Sequence, residues 1–144
     1  MNAQFVTRLH KSVLGRIDTL AERQDYPRNT ALRLALDLGL YSLAEAVTVK
    51  EFLRRLGPLN RNQGLDAPRQ LPKDFAKEII AAAQTSGVPE REMVEAVLEA
   101  GCRIIERAGG LAKTEQTVTK PRQVVRDWTD FVRLPEPPME AEAA

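Results

Sequence analysis

Residues 3–9, Ala-Gln-Phe-Val-Thr-Arg-Leu, form a β-favourable run with Phe5, Thr7 and Leu9 to one side and Gln4, Val6 and Arg8 to the other. That pattern predicts one short strand. The period then changes: Val13, Leu14, Ile17, Leu20 and Ala21 recur at helical spacing, with Ser12 placed as an N-cap, until Gln24-Asp25-Tyr26-Pro27 interrupts them. A helix near 13–24 follows. A second helix starts around Pro27 to Thr30, where Pro suits a first turn and Asn29 or Thr30 can cap open amides. From Leu32 to Leu40 its apolar residues cover almost the whole circumference. Such a helix must be buried on several sides, and one strand with two short helices cannot bury it. A second copy, from another chain or from elsewhere in this one, is therefore required.

Residues 42–56 continue a helical pattern through Leu43, Val47, Phe52, Leu53 and Leu56, and Gly57-Pro58 stops it. After a polar linker the pattern returns. A short strand at 66–70 leads through Leu71-Pro72 into a helix with Phe75, Ile79, Ala82 and Ala83, a break at Ser86-Gly87-Val88-Pro89, and a helix with Met93, Val94, Val97, Leu98, Cys102 and Ile105. At an offset of 62, Leu9 falls on Leu71, Ile17 on Ile79, Ala21 on Ala83, Pro27 on Pro89 and Leu36 on Leu98, the mark of a degenerate tandem repeat. Gly109-Gly110 ends the second block. Residues 111–120 read as a loop, Pro121 to Val132 as a short helix, and the acidic, proline-containing tail from Leu134 as disordered. The organisation is thus a first unit at 1–42, a helical connector and linker at 43–65, a degenerate second unit at 66–108, and a loop, short helix and tail at 109–144.

Composition narrows the chemistry. Apolar residues make up 43% and aromatic residues 5%, which favours helices packed on helices over a large sheet. One cysteine and one histidine provide neither an internal disulfide nor a zinc-site ligand set. No apolar run reaches the roughly 20 residues of a membrane span, so a cytoplasmic protein without metal or cofactor is expected. The net charge of +1 hides an asymmetry: residues 1–62 carry 10 Lys and Arg against 6 Asp and Glu, the remainder 11 against 14. Only the first part has the sign that attracts phosphate.

Residues 4–40 resemble the ribbon-helix-helix family of Arc, MetJ and CopG. The match runs through Gln4-Phe5-Val6-Thr7-Arg8-Leu9, Val13-Leu14, Arg16-Ile17-Asp18, Leu20-Ala21-Glu22 and Pro27-Arg28-Asn29-Thr30 into Leu32-Arg33 and Ala35-Leu36. The resemblance implies a mainly α fold in which two antiparallel strands make a ribbon that enters the major groove of double-stranded DNA. It implies base reading by Gln4, Val6 and Arg8, and phosphate binding by Arg28, Asn29 and Thr30 at the start of the second helix. Arg can pair with guanine and Gln with adenine, while Val6 offers only a contact to a thymine methyl. Thr7 stands on the inward face, which is aliphatic in the family. Proteins of the TraY type look similar in carrying two such units per chain, which adds plasmid conjugation or partition to transcriptional repression as settings. The second copy departs from the pattern. Pro68 interrupts its strand, and Glu90 and Glu92 replace Arg28 and Thr30, so Gln70 is its one expected base reader and its phosphate affinity is the weaker.

The remaining candidates have plainer readings. His10 is expected as a turn residue and Cys102 as a buried small hydrophobe; Glu90, Glu92, Glu95 and Glu99 are expected to form a solvated acidic face. Two readings stay open for Trp128 and Phe131: a hook for a partner protein, as in antitoxins, or a cap on the core. One histidine, one cysteine and no glycine-rich phosphate loop argue against an enzyme. The expectation is a sequence-specific DNA-binding protein, as a homodimer or an intramolecular pseudo-dimer. The rival is a helical adaptor that contacts only proteins.

Overall fold

The computed structural model describes residues 4–59, 66–118 and 128–135, with backbone alone for Gln4, Phe5, Trp128 and Thr129. Strand β1 (Gln4–His10) leads into helices α1 (Lys11–Arg23), α2 (Arg28–Glu45) and α3 (Val49–Leu56); strand β2 (Asp66–Pro72) leads into α4 (Lys73–Ser86), α5 (Glu90–Ala108) and α6 (Leu111–Val118), and α7 (Trp128–Val132) follows. The molecule is mainly helical, with one two-stranded antiparallel sheet among the described residues. Both strands come from the same chain. Within the chain, α2 packs most extensively against α5.

β2, α4, α5 and α6 begin 62 residues after β1, α1, α2 and α3. The burial pattern keeps the same offset. Leu14, Ile17 and Ala21 of α1 are buried, as are Ala76, Ile79 and Ala83 of α4. Every buried position of α2, from Ala31 to Ser42, has a buried counterpart in α5, from Met93 to Ile104. Turns match as well: Asp25 and Gly87 both take a left-handed backbone between the paired helices.

The core lies where α2 and α5 cross, the most extensive helix–helix contact in the fold. Gly39 and Gly101 make that crossing close. A Cβ on Gly39 would stand 2.0 Å from the carbonyl oxygen of Val97, and one on Gly101 would stand 1.9 Å from that of Ala35. Gly39 and Gly101 are offset equivalents, and so are Ala35 and Val97, so the crossing contacts itself symmetrically. Leu9 and Leu71, both fully buried, anchor the two strands to this core. Burial of a side chain of that size is worth about 1.5–3 kcal/mol.

Several expectations from sequence need correction. The stretch 111–120, expected as a loop, is helical through Val118, because Leu111 and Thr114 bury on one side and Val118 partly follows. The helical pattern of 42–56 is broken. α2 ends at Glu45, Val47 takes φ 74°, and the Thr48 side chain caps α3 by accepting from the Glu51 amide. His10, not Ser12, is the N-cap of α1, its ring accepting from the Ser12 amide. Strand β1 extends to His10 and β2 to Pro72, one and two residues beyond expectation. The tail does not begin at Leu134, which is buried. Arg107 holds the end of α7 by donating to the carbonyls of Arg133 (2.8 Å) and Phe131, and Arg133 pairs with Glu45 at 2.9 Å. Phe131 and Val132 pack on the core. Residues 119–127 and 136–144 lie outside the described residues, and with them most of the expected helix at 121–132 and of the tail.

Candidate nucleic-acid interface

Antiparallel pairing sets Val6 opposite Gln70, Thr7 opposite Arg69 and Arg8 opposite Pro68, with Gln4 opposite Pro72 and His10 opposite Asp66. Side chains alternate across the ribbon. Val6, Arg8, Pro68 and Gln70 are exposed on its outer face, whereas Leu9 and Leu71 are buried beneath it. Val6 is 56% exposed, unusual for its type. Pro68 and Pro72 are both on even positions of β2; a two-stranded ribbon leaves every second N–H pointing outward, so prolines at this spacing need cost no ladder bond. The register places position 4 on the same face, although the Gln4 side chain lies outside the described residues.

Beneath the ribbon's centre the inner face is polar. Arg69 forks onto Asp18 of α1 with bonds of 3.1 and 2.7 Å, and Thr7 faces Arg69 across the pair. The non-aliphatic Thr7 thus has a local reason: the neighbouring inward position holds a guanidinium and its carboxylate. The ion pair is mostly shielded, with about one-fifth of each side chain exposed.

The two ends of the ribbon meet different helix starts. At the Gln70 end, Asn29, Leu32 and Arg33 of α2 enclose with Gln70 and Pro72 a pocket of about 210 Å³. α2 begins after Pro27 with no side-chain cap, so neither Asn29 nor Thr30 closes it, and its first amides stay open. Arg28 is 69% exposed, its Nε 4.0 Å from Asp18, and Arg33 stacks over the Phe75 ring at 5.2 Å. Arg33 was not singled out from sequence. Its signal was there, a cation one turn beyond Asn29 on the same side of the helix.

At the Arg8 end the corresponding helix start is acidic and engaged. α5 carries Glu90 and Glu92 in its first turn. Arg91 is committed to Asp66 through two 2.7 Å bonds, and its Nε is 3.5 Å from Glu95. Glu95 is fully buried and accepts from the His10 amide at 2.7 Å, tying the strand end to α5. The solvated acidic face expected for 90–99 is therefore only half correct. Glu90 and Glu92 are exposed, but Glu95 is buried, and Glu99 is buried between Arg16 (2.6 Å) and Arg103 (2.9 Å). Glu106 hydrogen-bonds to Arg16 and raises its pKa well above the ordinary value. Arg8 is exposed and makes one long bond, 3.4 Å, to the Asp66 carbonyl.

Away from this face, burial pushes the Cys102 thiol up to about 12, the state of an inert core thiol. Among the described residues no group of three His, Cys, Asp or Glu is placed to hold a metal ion, and no helix is long and apolar enough to cross a membrane. No protein-family model, curated protein or solved structure matches the chain.

Proposed function

We propose that this chain is an intramolecular ribbon-helix-helix pseudo-dimer that binds double-stranded DNA in a sequence-specific way, as a repressor or as an accessory factor in plasmid transfer or partition. The observation that carries the reading is the outer ribbon face. An antiparallel pair of strands offers Arg8 and Gln70, both exposed, with an uncapped, basic helix start beside Gln70. A two-stranded ribbon of this width fits a major groove. Arg8 and Gln70 are its base readers, with Gln4 assigned to the same face by register and Val6 available to a thymine methyl. Arg28, Asn29 and Thr30, joined by Arg33, grip phosphate through side chains and open amides.

The adaptor reading has less to rest on. Phe131 and Val132 are spent on the molecule's own core, which favours the capping role for that segment over a hook.

Arg8→Ala tests the assignment in a binding titration against a preferred site and its single-base variants. Loss of a bidentate contact removes about 1–3 kcal/mol of discrimination at one base pair and leaves the others unchanged. Full retention of specificity would place base reading elsewhere.

A further inference from the structure

The outer face of the ribbon is a quartet whose members exchange under the 62-residue offset. Arg8 occupies in the first unit the place that Gln70 occupies in the second, and Val6 the place of Pro68. The pairing Thr7 to Arg69 is the centre of this relation: each residue before it on one strand maps onto a residue before it on the other. A ribbon of two identical strands offers one set of side chains twice and so selects a palindrome. This ribbon cannot do so. A guanidinium presents two donors, which match O6 and N7 of guanine; a carboxamide presents a donor and an acceptor, which match N7 and N6 of adenine.

The surroundings break the symmetry in a second, independent way. The Gln70 end shares its pocket with Asn29 and Arg33 and is flanked by the open start of α2. The Arg8 end is flanked by Asp66 and Arg91, already bound to each other, and by Glu90 and Glu92. The side that carries Gln70 is therefore the one with cations free of the acidic neighbours found at the other end. Those cations belong to the first unit, while the reader beside them belongs to the second.

Building on the DNA-binding reading above, we propose that the ribbon recognises a broken palindrome. The step facing Arg8 is guanine and the dyad-related step facing Gln70 is adenine, with the stronger backbone grip on the adenine side. The protein thus binds in one fixed orientation.

Selection of bound fragments from a random double-stranded DNA pool tests this with three full-length chains: wild type, Gln70→Arg and Arg8→Gln. Both positions are exposed, and far-ultraviolet circular dichroism verifies that each variant keeps its helices. The wild type is expected to enrich a site with guanine in one half and adenine at the equivalent step of the other. Gln70→Arg is expected to convert that site to guanine in both halves, and Arg8→Gln to adenine in both, each with a change in preference of roughly ten- to hundredfold at the altered step. A wild-type site that is already symmetrical at that step overturns the inference while leaving DNA binding intact. So does a Gln70→Arg site identical to that of the wild type. Failure of the wild type to enrich any fragment at low salt removes the DNA reading itself.

Discussion

The starts of α2 and α5 stand at equivalent places on opposite ends of one ribbon, yet they are built for opposite electrostatic tasks. Both follow a proline and both lack a side-chain cap. The first continues Arg28-Asn29-Thr30 and lies open beside Gln70. The second continues Glu90-Arg91-Glu92, and its one cation is spent on Asp66. The same contrast recurs one turn later, where exposed Arg33 corresponds to buried Glu95. The second unit thus repeats the backbone path of the first, while Arg91 and Glu95 of its rim fasten the strand. The buried positions of α2 all recur in α5, which buries further ones of its own; the surface charges do not recur.

The self-matching glycine crossing is the feature most open to attack by mutation. Gly39→Ala and Gly101→Ala each drive a methyl group into a carbonyl of the facing helix, and each is expected to cost at least about 3 kcal/mol, the upper end of overpacking penalties. Urea denaturation of the two variants checks it. Similar losses support the self-matching crossing, and a neutral result at either glycine breaks it.

A smaller stability effect separates the two copies at the turn after the long helix. Val47 and Gly109 are offset equivalents with positive φ, 74° and 100°. A β-branched residue there is strained, and Val47 is 87% exposed with little packing to lose. Val47→Gly is expected to raise stability by about 1 kcal/mol in thermal unfolding, less than the relief of strain because glycine gains entropy in the unfolded chain.

The rims differ in a way that salt reads directly. Each phosphate contact contributes about 0.9 to the slope of log affinity against log salt. Arg28→Ala should flatten that slope by about this amount with a severalfold loss of affinity. Glu90→Arg, which copies the first unit's residue into the second, should steepen it and tighten binding. Equal slopes for all three proteins in an anisotropy titration would make the two rims functionally alike.

The smallest expected effect lies in α3. Glu51 takes hydrogen bonds from Arg54 and Arg55, and Arg54 foremost holds its carboxyl down at about 2. α6 has Lys113 at the equivalent position. Because the folded value is below the unfolded one, the stabilisation is present above the ordinary carboxylate range and fades as pH falls from there through about 2. Glu51→Gln should be slightly less stable than the wild type at neutral pH and indistinguishable from it at the acid end of that window, as read by chemical denaturation across pH.

Much of this was legible in the chain. The change of period from strand to helix, the stops at Pro27 and Gly57, and the offset of 62 foretold the strands and the helices α1 to α5, though not the break between α2 and α3. The all-round apolar α2 also announced that it needed a partner. What escaped notice had local causes. Residues 111–118 are polar enough to resemble a loop, and only carrying the offset on from α3 would have placed a helix there. The glycines at 39 and 101 look like weak points in a helix until the facing backbone is seen. The pairing of Arg91 with Asp66 and the burial of Glu95 and Glu99 depend on contacts 25 to 85 residues away in sequence. Charge patterning along one helix cannot supply those. For the same reason Gln70 and the start of α2, distant in sequence, were not expected to share one pocket.

The central claim is that one folded chain suffices to present a DNA-reading ribbon. Retardation of random genomic fragments at low salt, at protein concentrations where mass measurement finds a single chain, tests it most directly. The account predicts a shifted complex of one chain per site that dissolves steeply as salt rises. Absence of any retardation, or a complex that forms only when two chains associate, contradicts it.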